Sequence, residues 1–333
     1  MEEGIFSLKK VENLALLMFK DSSIMAGIGI ILNPYSRSYK HNPERMERLG
    51  FIVGDKASCH ATHDVLDVEA LAREFKEKQI DILGISGGDG TNHVTITTFL
   101  KVYGETPLPK IAFLRGGTMN NIANALNIKG LPEKILSNLI FKYHSGEPFK
   151  MTEVDIIDVN GKHGFLFGIG LVSRFIEEYY RQGKKTPLYA GSLLLQFLFG
   201  ALCHTKFLMK MCERFDTKVV VNGKEWGFKN FVSIYAGTIE TFGLHFDPFH
   251  RAREKPGHFH LIGISGTPRN LLFGFPWIFM RKKVPSENYE EDVASDVVIE
   301  LAEPMTYQID GDIQPATDRI VLKTGPRLNC IVG

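Results

Sequence analysis

Ile80-Asp81-Ile82-Leu83-Gly84-Ile85-Ser86-Gly87-Gly88-Asp89-Gly90-Thr91 is the stretch whose reading decides the fold. Up to Ser86 it is a short apolar, β-branched run, the pattern of a buried strand. The glycines that follow let the backbone turn sharply and approach a ligand without Cβ interference. The apolar, Thr-rich run Asn92 to Leu100 is expected to carry a helix. Strand, glycine turn and helix N-terminus together aim free N–H groups at an anion, which makes this a candidate phosphate site. A tight strand-to-helix connection with no ligand explains the glycines equally well. Asp89 tips the balance. A carboxylate beside phosphates needs a cation or a hydroxyl between them, so a metal-assisted nucleotide site is expected.

Working outward, Gly27 to Leu32 reads as a strand ending in the turn Asn33-Pro34-Tyr35-Ser36, and Val68 to Lys78 as an amphipathic helix with Leu71, Ala72 and Phe75 on one face. Ile111 to Leu114 is another strand, followed by Gly116-Gly117-Thr118 and by helices near Asn120 to Leu126 and Pro132 to Tyr143. Repeated strand–helix units imply a parallel sheet covered by helices, with ligands at the carboxyl ends of its strands. The turn Gly116 to Asn121 then sits at the same edge as the first, so both can reach one nucleotide. The Thr118 hydroxyl and the Asn120 amide suit a ribose or a phosphate. Helix capping by either residue explains that turn when it is taken alone.

The character changes near residue 150. Val154 to Val159, Gly164 to Gly168, Lys218 to Val221, Asn230 to Tyr235, His258 to Ile264, Val297 to Leu301, Met305 to Ile309 and Arg319 to Lys323 all resemble strands. Hairpin dipeptides such as Asn160-Gly161 and Asn222-Gly223 join several of them. The expected organisation is an α/β domain over residues 25–150 and a β-rich domain over 151–317. Residues from about 318 to 333 are expected to return to the first domain. Two apolar segments, Tyr189 to Met211 and Asn270 to Met280, interrupt the β-rich part.

A chain of 333 residues, 44% hydrophobic and 23% charged, is an ordinary globular protein with room for two domains. A net charge of +1 supplies no global field, so no nucleic-acid partner is expected. Cys59, Cys203, Cys212 and Cys330 have no metal-ligand spacing and read as buried thiols of a reducing cytosol. Met1 to Lys20 carries charges throughout, and its longest apolar stretch, Leu14 to Phe19, is too short for a secretory signal. The longest uncharged stretch, Thr186 to Cys203, contains Pro187 and Gln196 and falls short of the roughly 20 apolar residues a span needs. A soluble or peripheral protein is expected.

The order Asn33-Pro34-x-Ser36, Gly87-Gly88-Asp89-Gly90-Thr91, Gly117-Thr118-Met119-Asn120-Asn121-Ile122-Ala123 and Asp310-Gly311-Asp312 resembles the diacylglycerol kinase catalytic-domain family, over nearly the whole chain after about residue 25. That family includes bacterial lipid kinases, sphingosine kinases and ceramide kinases. The first glycine motif is shared with NAD kinases and distantly with phosphofructokinases. The second turn and the Asp-Gly-acid loop are what point to lipid kinases. The resemblance implies a three-layer α/β/α nucleotide-binding domain followed by a β-sandwich lipid-binding domain.

Carried over residue by residue, the resemblance implies ATP contacts from Asn33, Thr62, Gly87, Gly88, Asp89, Gly90, Thr91, Gly117, Thr118 and Asn120. Mg²⁺ is expected to be held mainly by the ATP phosphates. Asp312 falls where the family's loop usually ends in a glutamate general base. Asp89 is expected to orient a metal-bound water or the Asp312 loop, and Asp310 to position that loop or tune Asp312 by like charge. A plain hairpin turn also explains Asp310-Gly311-Asp312. Asn121 stands where the family has Asp. Lys255-Pro256-Gly257 stands where many bacterial members carry an Asp-Asp-Gly segment that helps hold a structural metal, so that auxiliary site is not expected here.

The function expected is transfer of the ATP γ-phosphate to the hydroxyl of a membrane lipid. Diacylglycerol, sphingoid base, ceramide and phosphatidylglycerol all stay open as acceptors. Leu188 to Phe199 is apolar around most of a helix and suits either a core or the wall of an acyl-chain pocket. Pro268 to Lys283 mixes aromatics with Arg281-Lys282-Lys283, which suits the surface of an anionic membrane or an ordinary packing helix. A cytoplasmic enzyme, peripheral at the inner face of the membrane, is expected, with a homodimer left open. NAD kinase is the alternative enzyme. A nucleotide- or lipid-binding regulator with a lapsed active site is the alternative of another class.

Overall fold

The computed structural model describes residues 27–181, 191–192, 195–196, 200, 205–242 and 246–332. The chain divides into two compact units. One ends at Glu153 and resumes at Leu328, and the other is Val154–Arg327.

In the first unit, β1 (Ile28–Leu32), β2 (Ser58–Ala61), β3 (Ile82–Ser86), β4 (Lys110–Phe113) and β5 (Met151–Val154) are joined by β17 (Leu328–Ile331) from the far end of the sequence. Their order in the sheet is β2-β1-β3-β4-β17-β5. β1 runs parallel to β2 and β3, β3 to β4, and β4 to β17. The helices are α1 (Arg37–Lys40), α2 (Glu44–Val53), α3 (Val65–Glu77), α4 (Asp89–Tyr103), α5 (Asn121–Ala125) and α6 (Pro132–Ser145).

Every residue of β1 is buried, because the sheet is covered on both faces. Ile28, Ile30 and Leu32 share a core with Met46, Leu49 and Val53 of α2 and with Leu136, Leu139 and Ile140 of α6. The alternate face of β1 meets α3, where a Cβ on Gly29 would lie 2.5 Å from the Phe75 ring. Phe75 in turn sits 6.4 Å, centroid to centroid, from Phe99 of α4. The three-layer α/β/α arrangement expected for this half is what forms. The helix expected from Asn92 begins three residues earlier, at Asp89, with Gly88 as its N-cap (φ −90°, ψ −177°). Gly90 therefore lies in a first helical turn, where backbone N–H groups lack partners within the helix.

The second unit is an eleven-stranded sheet, antiparallel at each described pairing. It comprises β6 (Ile157–Val159), β7 (Lys162–Gly164), β8 (Leu166–Gly170), β9 (Phe215–Val221), β10 (Lys224–Glu225), β11 (Asn230–Phe231) and β12 (Ser233–Gly237). β13 (Phe259–Ile264), β14 (Tyr289–Ala294), β15 (Asp296–Ile309) and β16 (Asp312–Thr324) complete it. The main path runs β14-β13-β12-β8-β15-β16-β6-β7, with β9 also pairing β15. Phe167, Ile169, Val219, Phe231, Leu261 and Ile299 belong to its core. The helices here include α7 (Leu171–Arg181), α8 (Lys206–Met211) and α9 (Pro268–Phe279). Asn160-Gly161 (φ 51° and 82°) and Asn222-Gly223 (φ 49° and 82°) adopt the paired left-handed conformation of a tight hairpin.

Three boundaries differ from the expectation. The strand read as Val154 to Val159 breaks at Asp155-Ile156, so β5 joins the first sheet and β6 the second. Val297 to Leu301 and Met305 to Ile309 are one strand, β15, whose register with β16 shifts around Met305. Pro304, having no N–H for the ladder, supplies the reason. β16 runs on to Thr324, so the chain rejoins the first unit at Leu328 rather than near residue 318.

Cys59, Cys212 and Cys330 are buried and unpaired, and burial pushes each thiol up to about 12. Cys203 and most of Leu188 to Phe199 lie outside the described residues. No helix among the described residues is long and apolar enough to cross a membrane.

Candidate active site

Parallel strands ending at one edge bring together the residues that follow them. Asn33 follows β1, Thr62 follows β2, the Gly87-Gly88 turn follows β3, and Gly116-Gly117 comes shortly after β4. The two glycine turns lie backbone against backbone. A Cβ on Gly117 would stand 2.4 Å from the Gly88 Cα, and one on Gly116 would stand 2.8 Å from the Gly87 nitrogen. No side chain can yield there, because the obstruction is main chain. Gly90 is different: a Cβ on it would meet nothing within 4 Å. The protein itself therefore leaves open the space over the first turn of α4, where unpaired amides and the helix dipole favour an anion.

Around the two turns the side chains are mostly committed to holding them. Asn33 donates from Nδ2 to the Thr91 hydroxyl at 2.9 Å, and its Oδ1 accepts from the Tyr35 amide at 2.9 Å. Its own amide donates to the Ser86 carbonyl, tying β1 to the start of the first turn. Thr62 is buried, with its hydroxyl 3.5 Å from the Leu32 carbonyl. Asn120 takes a left-handed φ of 51° and closes its own turn, accepting from the Gly117 amide at 3.0 Å and donating to the Gly117 carbonyl at 3.1 Å. Thr118 is half-buried in the same turn.

Asp89 reaches across to the second turn rather than out over the first. Its Oδ1 accepts from the Asn121 amide at 2.8 Å, at the N-terminus of α5. Burial pushes its carboxyl up to about 6, against the lowering effect of the surrounding backbone amides of residues 120–122. Asn121, at the position where an acid was expected from the family, is buried with no hydrogen-bond partner for its Oδ1 among the described residues.

Two supporting residues escape a reading of motifs, and the packing of Gly116 on Gly87 is revealed only by the structure. Ser86 is buried and hydrogen-bonded to the Tyr39 hydroxyl, whose pKa burial raises against the lowering effect of that bond. Arg115, at a left-handed φ of 55°, donates to Asn124 Oδ1 at 2.7 Å and to the Ile128 carbonyl at 2.6 Å, bracing the loop around α5.

In the second unit Asp310-Gly311 is a hairpin turn joining β15 to β16, with φ 49° and 83° and Ile309 opposite Asp312. The hairpin reading of this tripeptide is what forms. Asp310 is buried. Its Oδ1 accepts from the Leu166 amide at 2.9 Å and from the Phe165 amide at 3.1 Å, which clamps the turn to β8. Gln308, fully buried, accepts from the Gly311 amide at 2.6 Å. Its only sequence signal is a polar residue in an apolar run. Asp312 is exposed, and its Oδ2 accepts from Gln314 Nε2 at 3.0 Å. Asp310 therefore positions the turn, and Asp312 is the acid left facing outward.

α9 and the residue that caps it carry an outward apolar surface, with Phe273 78%, Phe279 52% and Met280 51% exposed. Of the basic residues after it, Arg281 is engaged by buried Asp247 through Nε at 2.8 Å, while Lys282 is exposed.

Residues 28–149 match the family model of the diacylglycerol kinase catalytic domain. The resemblance read from the motifs is borne out over that segment. No curated relative matches the chain. Among solved structures, the chain is similar to one from Bacillus anthracis str. Sterne that is provisionally described as a diacylglycerol kinase. That likeness has a TM-score of 0.67 and 18% identity over 92% of this chain and 97% of that one. A second structure from the same organism, described as a diacylglycerol kinase, has a TM-score of 0.61 and 16% identity over the same shares. At such identities these likenesses show the fold: an α/β unit with a parallel sheet followed by an antiparallel, sheet-rich unit.

Proposed function

We propose, starting from residues 28–149 as a diacylglycerol kinase catalytic domain, that this chain is an ATP-dependent lipid kinase acting on a hydroxyl-bearing membrane lipid. The observation that carries the proposal is the contact of Gly116-Gly117 on Gly87-Gly88 beside open space at Gly90. Amides at the start of α4 and in the second turn hold the phosphates, and Asn33 and Thr91 keep the first turn in shape. A divalent cation, when bound with ATP, neutralises charge on the phosphates, which phosphoryl transfer needs more than covalent chemistry. Asp89 links the two turns through the Asn121 amide. Asp312 takes the proton of the attacking lipid hydroxyl, and Asp310 and Gln308 hold the turn that carries it.

The lipid side of the reading draws on α9. Three exposed apolar residues next to exposed Lys282 suit a membrane surface bearing anionic lipid. That chemistry supports a peripheral location at the inner face of the membrane. A second reading, a nucleotide-binding regulator without turnover, is favoured by the engagement of the short Asp312 side chain with Gln314.

The test is ATP turnover against vesicles containing diacylglycerol, ceramide, a sphingoid base or phosphatidylglycerol, with NAD as a further acceptor. Product phosphorylated on one of the lipids is expected. Turnover with NAD alone selects an NAD kinase, and ATP binding without turnover selects the regulator. In the same assay Gly90→Ala is expected to fold normally yet weaken ATP binding on the order of 10-fold or more, because its methyl occupies the phosphate cradle. Unchanged ATP affinity in that variant removes the cradle from the mechanism.

A further inference from the structure

The second unit holds a cluster that the kinase reading does not use. His250, His260 and Glu291 place three ligand atoms within 4.8 Å of one another. Two neighbouring strands and a turn assemble them. Ile262 of β13 lies opposite Glu291 of β14, so His260, two residues earlier, shares a face with Glu291 as its diagonal neighbour. His250 follows Phe249, whose buried ring packs edge-on against His260 at 6.1 Å between centroids. The two imidazoles meet edge to face at 4.9 Å.

His260 is the residue that needs explaining. It is fully buried, and neither of its ring nitrogens has a hydrogen-bond partner among the described residues. A buried imidazole in that condition forfeits hydration without compensation. Its nearest charged group is Glu291, at 3.6 Å from Nε2 to Oε2, while His250 Nε2 lies 3.8 Å from Glu291 Oε1. These separations are long for hydrogen bonds. They are close to the edge of a tetrahedron around Zn²⁺, about 3.4 Å for bonds of about 2.05 Å.

We infer that His250, His260 and Glu291 form a structural site for a borderline transition-metal ion, Zn²⁺ by ligand type, with water in the fourth position. Two imidazoles and one carboxylate suit Zn²⁺, whereas Mg²⁺ takes oxygen ligands. The site shares no residue with Lys255-Pro256-Gly257, which supplies no carboxylate, but His250 and His260 flank that segment five and three residues away. A bound ion would tie the turn at His250 to β13 and β14. Two cations face the cluster. Arg251 is paired with Glu254 at 2.6 Å, and Lys283 Nζ lies 3.6 Å from Glu291 Oε1 on a side chain 71% exposed. Lys283 can therefore move into water when a dication takes its place.

The experiment uses the full chain without a polyhistidine tag, loaded with Zn²⁺ alone and dialysed, with no activity readout, so the kinase reading stands or falls separately. One equivalent of Zn²⁺ by elemental analysis is expected, together with a rise in Tm that a chelator reverses. Co²⁺ in its place is expected to give the visible absorption of a four-coordinate ion. His250→Ala and Glu291→Gln, each checked for folding by circular dichroism, are expected to weaken Zn²⁺ on the order of 100-fold or more. The neighbouring control His258→Ala and the variant Lys283→Ala are expected to keep the full equivalent. Substoichiometric Zn²⁺ in the parent chain overturns the inference, as does unchanged affinity in both ligand variants, since the metal then sits elsewhere.

Discussion

Asp89-Gly90 in the first unit and Asp310-Gly311 in the second set the same two residues into different backbones. At the first, Gly88 caps a helix in extended backbone, and Gly90 sits in the first helical turn with open space beside it. At the second, Asp310 and Gly311 take left-handed φ values of 49° and 83° to close a hairpin. Glycine leaves space open in one place and supplies handedness in the other. The aspartates converge on a shared role, since each gives its carboxylate to backbone amides of another segment, Asn121 for Asp89 and Phe165 and Leu166 for Asp310. The exposed acid is Asp312, one residue beyond the second turn. An acid in a glycine motif is thus more informative once its amide partners are known than by its place in the motif.

The sharpest way to break the comparison is Asp312→Asn. If Asp312 is the outward-facing base, turnover is expected to fall about 10²- to 10⁴-fold, with ATP affinity kept within a few-fold and Tm unchanged. Steady-state rates and ATP titration check both halves, and full activity in the variant takes Asp312 out of the chemistry.

Gly117→Ala tests the crowded turn. A methyl 2.4 Å from the Gly88 Cα forces main chain apart, with an expected loss of about 3 kcal/mol in chemical denaturation.

The Asp89 carboxyl, pushed up to about 6 from an ordinary 3.8, makes a pH prediction. Between those values the folded state holds more protons than the unfolded chain, so this group's contribution falls as pH rises through the window. Relative to Asp89→Asn, the parent chain is expected to lose about 2–3 kcal/mol between pH 4 and pH 6 and to change little above it. Parallel stability–pH curves for the two proteins would remove Asp89 as the buried link.

The smallest effect is expected at Gly311→Ala. Space exists for its Cβ, whose nearest neighbour would be the Tyr180 hydroxyl at 3.7 Å, so only the left-handed backbone resists. A loss of about 1–2 kcal/mol is expected, read by thermal denaturation.

Much of this was legible in the residues because it is local. Alternation located β6 before Asn160-Gly161 and β9 before Asn222-Gly223, though not their short partners β7 and β10, and glycine turns after apolar runs located the strand ends where the two turns meet. What was not legible depends on contacts distant in sequence. Nothing near Asp89 announces that its carboxylate ends on Asn121, and nothing near Gly116 announces the Gly87 nitrogen behind it. The break at Asp155-Ile156 is invisible because both halves are equally strand-like, and only the sheet each joins separates them. His250, His260 and Glu291 carry no recognisable spacing, since a turn, a strand and its diagonal neighbour bring them together.

The position of β17 has a bearing on biosynthesis. It lies between β4 and β5, and all the residues of the second unit separate it from β5 in sequence. A ribosome must therefore extrude Leu328–Ile331 before the parallel sheet can close, although most of that sheet was translated long before. Until then the nascent first half exposes two unsatisfied strand edges, an invitation to chaperone capture. A message truncated after Arg327 would yield a protein lacking β17, with the damage falling on the parallel sheet of the first unit although every residue of the second is present.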